Sequence, residues 1–199
     1  MSGTRGLMTL PNAITSASLV AGFLGLLAAA RGDFSQAAVL VATAAVLDYL
    51  DGAAARRRPG DGGFGSNLDS LADLVSFGVV PAMGLYVGAL HALPILGVAG
   101  AISFLLAGAW RLARFPLVRQ TDYFVGLPIP VAGVLVMLVL LWRPSPAPTL
   151  LVAVGAAGLM VSTLRFPTFR RVGRGASALF SDSEHRRIPR RRDKPAARR

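Results

Sequence analysis

The sequence contains no cysteine, which removes disulfides, thiolate metal sites and cysteine nucleophiles from consideration. Histidine is almost as scarce. His91 and His185 are the only two, and neither has a partner at metal-ligand spacing. Histidine-based zinc chemistry is thereby set aside, leaving carboxylates as the available metal ligands. Charge is sparse too: 16% of the 199 residues are charged against 53% hydrophobic, where a soluble domain carries about a quarter charged. Lysine is reduced to Lys194, against 20 arginines. A GC-rich genome produces that bias without any functional demand.

What charge there is lies unevenly. Residues 1–164 hold nine basic and seven acidic side chains, whereas residues 165–199 hold twelve basic and three acidic. A net charge of +11 taken alone points toward nucleic acid. Here the excess sits in a tail behind an apolar body, so a membrane reading fits and no nucleic-acid partner is expected. Apolar runs near spanning length fall at 8–30, 34–56, 66–90, 92–114, 127–142 and 147–165. The first lacks a leader's basic start and cleavage pattern and is read as a helix. The expectation is an all-α integral membrane protein with six transmembrane helices. Arg31 and Arg143 fall on one side, and the other nineteen basic residues on the opposite side, which puts both termini in the cytoplasm. Residues 1–171 form the expected transmembrane catalytic domain and 172–199 a basic, disordered cytoplasmic tail. The tail's arginines suit anionic lipid, with Gly173, Gly175, Pro189 and Pro195 as breakers.

Four aspartates interrupt this apolar pattern near the cytoplasmic ends of two successive helices: Asp48, Asp51, Asp69 and Asp73. A charged side chain within a span costs about 2.5–3.5 kcal/mol on insertion scales, so four together need compensation. Asp48 and Asp51 are i,i+3 and share a helix face, as do Asp69 and Asp73 at i,i+4. A connection containing Pro59, Gly60, Gly62, Gly63 and Gly65 allows the two helices to pack as a hairpin, converging the four carboxylates. Hard oxygen ligands without histidine or cysteine select Mg²⁺, Mn²⁺ or Ca²⁺. Two divalent ions on shared carboxylates are a common device of phosphoryl chemistry. An ion-transport pathway is the competing reading of intramembrane carboxylates. It leaves the small residues Gly52, Ala55 and Gly65 among them unexplained, whereas those suit the close approach of a nucleotide diphosphate.

The run Asp48-x2-Asp51-Gly52-x2-Ala55-Arg56-x8-Gly65-x3-Asp69-x3-Asp73 resembles, without a departure, the signature of the CDP-alcohol phosphatidyltransferases. The resemblance implies a six-helix fold, a homodimer, and two divalent cations, Mg²⁺ or Mn²⁺, at the cytoplasmic membrane face. Carried over, Asp48, Asp51, Asp69 and Asp73 look like the metal ligands, and Asp73 also like the general base. Gly52, Ala55, Arg56 and Gly65 look like CDP contacts. Asn12 and Thr15, in the Pro11-Asn12-x2-Thr15 run, are similar to the entry of the nucleotide pocket, though both are also common helix caps.

Four further blocks are similar to the serine-using branch of that family. They are residues 68–82, Arg111-Leu112-Ala113-Arg114-Phe115, residues 123–128 and residues 160–167. Pro116 departs, since that branch commonly carries Asn there. The expected reaction moves a phosphatidyl group from CDP-diacylglycerol to L-serine and releases CMP. The same chemistry on inositol phosphate or glycerol phosphate is the alternative. Arg111 and Arg114, one turn apart, suit a lipid phosphate or the acceptor's carboxylate through forked hydrogen bonds; positive-inside anchoring explains them as well. Ser76 shares the Asp69/Asp73 face and is a candidate acceptor contact, or a hydroxyl bonded back to its own helix. The expected location is the plasma membrane, multi-pass, with membrane lipids as partners.

Overall fold

The computed structural model describes residues 9–55, 63–118, 124–162 and 165–166. The basic tail expected from residue 172, and Arg56, lie outside the described residues. Helix α1 (Leu10–Ala30) starts at Thr9, whose hydroxyl accepts the Asn12 amide at 3.4 Å, with Pro11 in the first turn. Both features suit a helix start, since the first amides have no partner within the helix. Helix α2 (Phe34–Ala55) is capped by Asp33, whose Oδ1 accepts the Gln36 amide at 2.9 Å.

The third rod is continuous from Phe64 to Gly88 but not uniform. It opens as α3 (Phe64–Asp73), widens into a π-helical stretch over Leu74–Val79, and resumes as α4 (Val80–Gly88). The Val80 amide bonds the Val75 carbonyl, an i→i−5 step. Pro81 explains the position of this widening. It has no amide to give to Phe77, and its ring crowds that carbonyl in a regular α-helix, so the turn before it relaxes outward. A short 3₁₀ turn (Leu90–Ala92) leads to α5 (Pro94–Val118), then α6 (Ile129–Leu141) and α7 (Pro146–Val161). Strands β1 (Phe124–Val125) and β2 (Arg165–Phe166) pair antiparallel, Phe124 opposite Phe166. All other regular structure among the described residues is helical.

The six rods coincide with the six apolar runs of the sequence to within a few residues. Four are long and apolar enough to cross a membrane: those starting at Leu10, Phe34, Phe64 and Pro94. At about 1.5 Å per residue, the 13 residues of α6 and the 16 of α7 fall short of a ~30 Å hydrocarbon core.

On α1, residue size more than polarity separates inside from outside. The buried face of α1 consists of Asn12, Thr15, Ser18, Ala21, Gly22, Gly25, Ala28 and Ala29. Its large apolar side chains, Val20, Phe23, Leu24 and Leu27, face outward. In lipid, apolar side chains gain little by turning inward, so close backbone approach and hydrogen bonding decide the buried face. The protein is accordingly a multi-pass membrane protein.

This small face makes α1 the hub. It packs extensively along α2 and also along α3, the π-helical stretch and α4. The expected hairpin of α2 against α3 is thereby corrected. Their backbones scarcely touch, because α1 packs against both and is the common neighbour. The Ser18 hydroxyl donates to the Ala44 carbonyl of α2 at 3.1 Å. On the other flank Gly22 lies so close to Ser76 that a Cβ there would overlap the Ser76 hydroxyl. Gly133 of α6 makes the matching approach from the opposite side, where a Cβ would sit 2.9 Å from the Phe77 carbonyl oxygen. The widened turn is thus held between two glycines.

Gly22→Val should therefore prise α1 from the third rod and destabilise the protein by about 1–3 kcal/mol, as overpacking typically does. The check is the unfolding temperature in detergent. Gly155→Ala is the control, because nothing lies within 4 Å of the added methyl, and it should leave that temperature unchanged or slightly raised.

Candidate active site

Three helix ends meet at one end of the bundle. The last turns of α2 carry Asp48 and Asp51, the middle of α3 carries Asp69, and the first turns of α1 carry Asn12 and Thr15. One carboxylate oxygen from each of Asp48, Asp51 and Asp69 lies within 4.8 Å of the other two. Asp51 is buried, at 4% exposure, and Asp48 and Asp69 are half-buried. The Asp48 and Asp69 carboxyl groups approach within hydrogen-bonding reach of each other. Two unit charges about 4 Å apart near a protein surface interact by about 4 kcal/mol, so three carboxylates this close repel strongly without a cation.

The donor set fits a small divalent ion. Three carboxylate oxygens gathered within 4.8 Å of one another could together hold such an ion. All three donors are oxygens, the preference of hard cations.

Asp73 stands apart from this triangle. It lies one turn beyond Asp69 on α3, is 9% exposed, and is not part of the close set. It remains within electrostatic reach of all three carboxylates and of Arg111 on α5. Arg111 is half-buried, and its Nε is enclosed without a hydrogen-bond partner. Buried donors are nearly always paired, so an unpaired guanidinium nitrogen beside an aspartate is a candidate ligand contact. Arg114, one turn further along α5, lies exposed.

The remaining expected residues divide. Gly52 is half-buried directly after Asp51, and Gly65 occupies the first turn of α3, so both small residues lie on the elements that carry the triangle. Ala55 ends α2, and Arg56 lies outside the described residues. Asn12 is buried at 5% exposure on the α1 face that it shares with Thr15. Ser76 is fully buried, and its hydroxyl donates to the Ser18 carbonyl of α1 at 3.4 Å. That placement gives it a role in helix packing; the expected acceptor contact has no support in this geometry. Ser76 lies in the π-helical stretch that follows Asp73, and it packs against α1.

Sequence reasoning missed one contact. The Thr15 hydroxyl lies 2.6 Å from Asp51 Oδ2, joining α1 to the carboxylate triangle across 36 residues. The available signal was the recurrence of small or polar residues at Asn12, Thr15, Ser18, Gly22 and Gly25, which marks one buried helix stripe.

Comparison with known proteins agrees with this geometry. Residues 8–174 match the family model described as CDP-alcohol phosphatidyltransferase. The chain is 36% identical over 167 residues to the CDP-diacylglycerol–serine O-phosphatidyltransferase of Bacillus subtilis, covering 81% of this chain and 92% of that protein. It is 35% identical over 175 residues to the Helicobacter pylori protein of the same name, covering 81% and 73%. It is 36% identical over 176 residues to the archaetidylserine synthase of Methanothermobacter thermautotrophicus, covering 85% and 73%. An aspartate triangle at one end of an apolar helix bundle, on a chain matched along most of its length, establishes that this protein is an enzyme of the CDP-alcohol phosphatidyltransferase family.

Proposed function

We propose that this enzyme transfers the phosphatidyl group of CDP-diacylglycerol to the hydroxyl of L-serine, forming phosphatidylserine and releasing CMP. The observation that carries the chemistry is the convergence of Asp48, Asp51 and Asp69 within 4.8 Å at one end of the bundle. The acceptor is supported by the names of the relatives, two of which are serine O-phosphatidyltransferases and one an archaetidylserine synthase.

Asp48, Asp51 and Asp69, with Asp73 completing the set, hold two divalent cations, Mg²⁺ or Mn²⁺. Bound there, the cations supply charge neutralisation of the diphosphate and polarisation of its β-phosphoryl group. Asn12, Gly52, Ala55, Arg56 and Gly65 form the CDP pocket, the small residues leaving room for the diphosphate against the helix backbones. Asp73, outside the tight triangle, accepts the proton of the serine hydroxyl as that oxygen attacks the β-phosphorus. The bond from the β-phosphorus to the bridging oxygen breaks, and CMP departs with that oxygen and its electron pair. The sequence has no cysteine, and neither histidine falls in the motif, so a single displacement needs no covalent intermediate. Arg111 offers its guanidinium to the serine carboxylate or the lipid phosphate, and its unpaired Nε supports that role.

The enzyme works in the plasma membrane with all six rods embedded and α6 and α7 reaching across through their flanking turns. Both termini and the aspartates face the cytoplasm, as the distribution of arginine favours. The basic tail contacts anionic lipids, and the protein acts as a homodimer.

Purified enzyme given CDP-diacylglycerol and Mn²⁺ should release CMP with serine and not with inositol phosphate or glycerol phosphate. Release with one of the latter alone moves the acceptor assignment but keeps the chemistry. No release with any acceptor would favour the transport reading. Asp69→Asn should abolish turnover while leaving a folded protein. In EDTA it should melt no lower than the parent, because one like charge is gone, and added Mn²⁺ should no longer raise its melting temperature. A variant that Mn²⁺ still stabilises like the parent would remove Asp69 from the ligand set. Arg111→Lys preserves charge but not the planar fork, and should raise the Michaelis constant for serine by about tenfold, equivalent to 1.4 kcal/mol. Parental kinetics would reduce Arg111 to an anchor.

A further inference from the structure

We infer that Thr15 is a positioning residue for Asp51, fixing the carboxylate for metal binding, and that its hydroxyl does not serve the nucleotide. The inference rests on the metal reading of the aspartates and deepens it.

The Thr15 hydroxyl has one proton and two acceptors in range, Asp51 Oδ2 at 2.6 Å and the Pro11 carbonyl at 3.0 Å. The shorter contact ends on a carboxylate, and hydrogen bonds to ionised acceptors are roughly twice as strong as neutral ones. The Pro11 carbonyl already lies i−4 from the Thr15 amide, its regular partner in an α-helix, so it loses nothing when the hydroxyl turns away. Thr15 is 3% exposed and Asp51 4%, so water has little access to replace either group. The side chain of Thr15 is itself stiff, since branching at Cβ restricts its rotamers within a helix.

The consequence for Asp51 is geometric. An ionised carboxylate has about four lone-pair sites, and the hydrogen bonds from Thr15 and from the Gly52 amide leave the others for cations. The bond removes rotation about the terminal torsion, which is otherwise broad and roughly two-fold for aspartate. Asp51 is the most buried member of the triangle, and the backbone that bears it scarcely touches α3. The Gly52 amide beside it also bonds this carboxylate, but the support that comes from outside its own helix is α1, through the Thr15 bond and the Ser18 contact to Ala44. Partners of metal ligands commonly act in this way, and their loss costs about 10–100-fold in affinity or activity.

Thr15→Val removes the hydroxyl while keeping the branched shape, and Thr15→Ser keeps the hydroxyl. Mn²⁺ binding to purified full-length enzyme, read by electron paramagnetic resonance without nucleotide, should weaken about tenfold or more in Thr15→Val. Thr15→Ser should restore it. CDP affinity measured by calorimetry at saturating Mn²⁺ should be unchanged in both. Unaltered Mn²⁺ binding in Thr15→Val, or a loss confined to CDP, overturns the inference. If Thr15→Val does not fold, Thr15→Ala against Thr15→Ser decides in the same way, and equal Mn²⁺ affinity sinks it. Asp51→Asn separates the two levels: if it binds Mn²⁺ like the parent, the metal reading itself fails. If it loses Mn²⁺ while Thr15→Val keeps it, only the role of Thr15 fails.

Discussion

Three carboxylates held within 4.8 Å of one another on helices of a membrane protein form the constraint from which the rest of the structure follows. Their mutual repulsion and the cost of removing them from water act together against the fold. A rigid frame must hold them in place, and the frame cannot rest on hydrophobic burial, because lipid offers apolar side chains the same environment. Small residues and interhelical hydrogen bonds provide it. α1 meets α2 through the Ser18–Ala44 bond and meets the third rod through Gly22 against Ser76. On α1 the large apolar residues Val20, Phe23, Leu24 and Leu27 are left on the outside.

The widened turn at Leu74–Val79 belongs to the same logic. Pro81 displaces the hydrogen-bond ladder before it, and within the relaxed turn Ser76 packs against α1. Phe77 is then enclosed under Gly133 of α6. Asp69 and Asp73 lie before the change of phase and keep their shared face. The rod thus presents carboxylates at one end and a tight helix contact in its middle.

Much of this was legible in the sequence. The aspartates were visible because each is an anomaly against its apolar surroundings and their spacing places them on common faces. The helix limits were visible from hydropathy with its glycine and proline punctuation. Hydropathy could not say which helices are neighbours. Adjacency in sequence suggested α2 against α3, whereas the small-residue face of α1 decided otherwise. The burial of Ser76 against α1 was hidden because no local pattern reveals a neighbour 58 residues away. Thr15 was read as a helix cap or nucleotide contact, since no local pattern reveals a partner 36 residues away.

The division of labour among the helices explains why chemistry was easier to read than acceptor. The carboxylates and the small residues beside them come from α2 and α3 within one compact motif, and α1 adds a short polar start. Any CDP-linked lipid presents the same diphosphate to these groups, so their spacing is bound to the shared step. A cation within electrostatic reach of Asp73 comes from α5, nearly forty residues later, where the Arg111 Nε is enclosed without a partner. Under the proposed mechanism that group meets the acceptor, the component that differs from one CDP-alcohol transfer to another. A pocket assembled from a separate helix can change its preference by substitution there without disturbing the aspartate frame. Under that proposal, selectivity would rest on the fit of one guanidinium to one carboxylate, a contact made in space and absent from any contiguous motif.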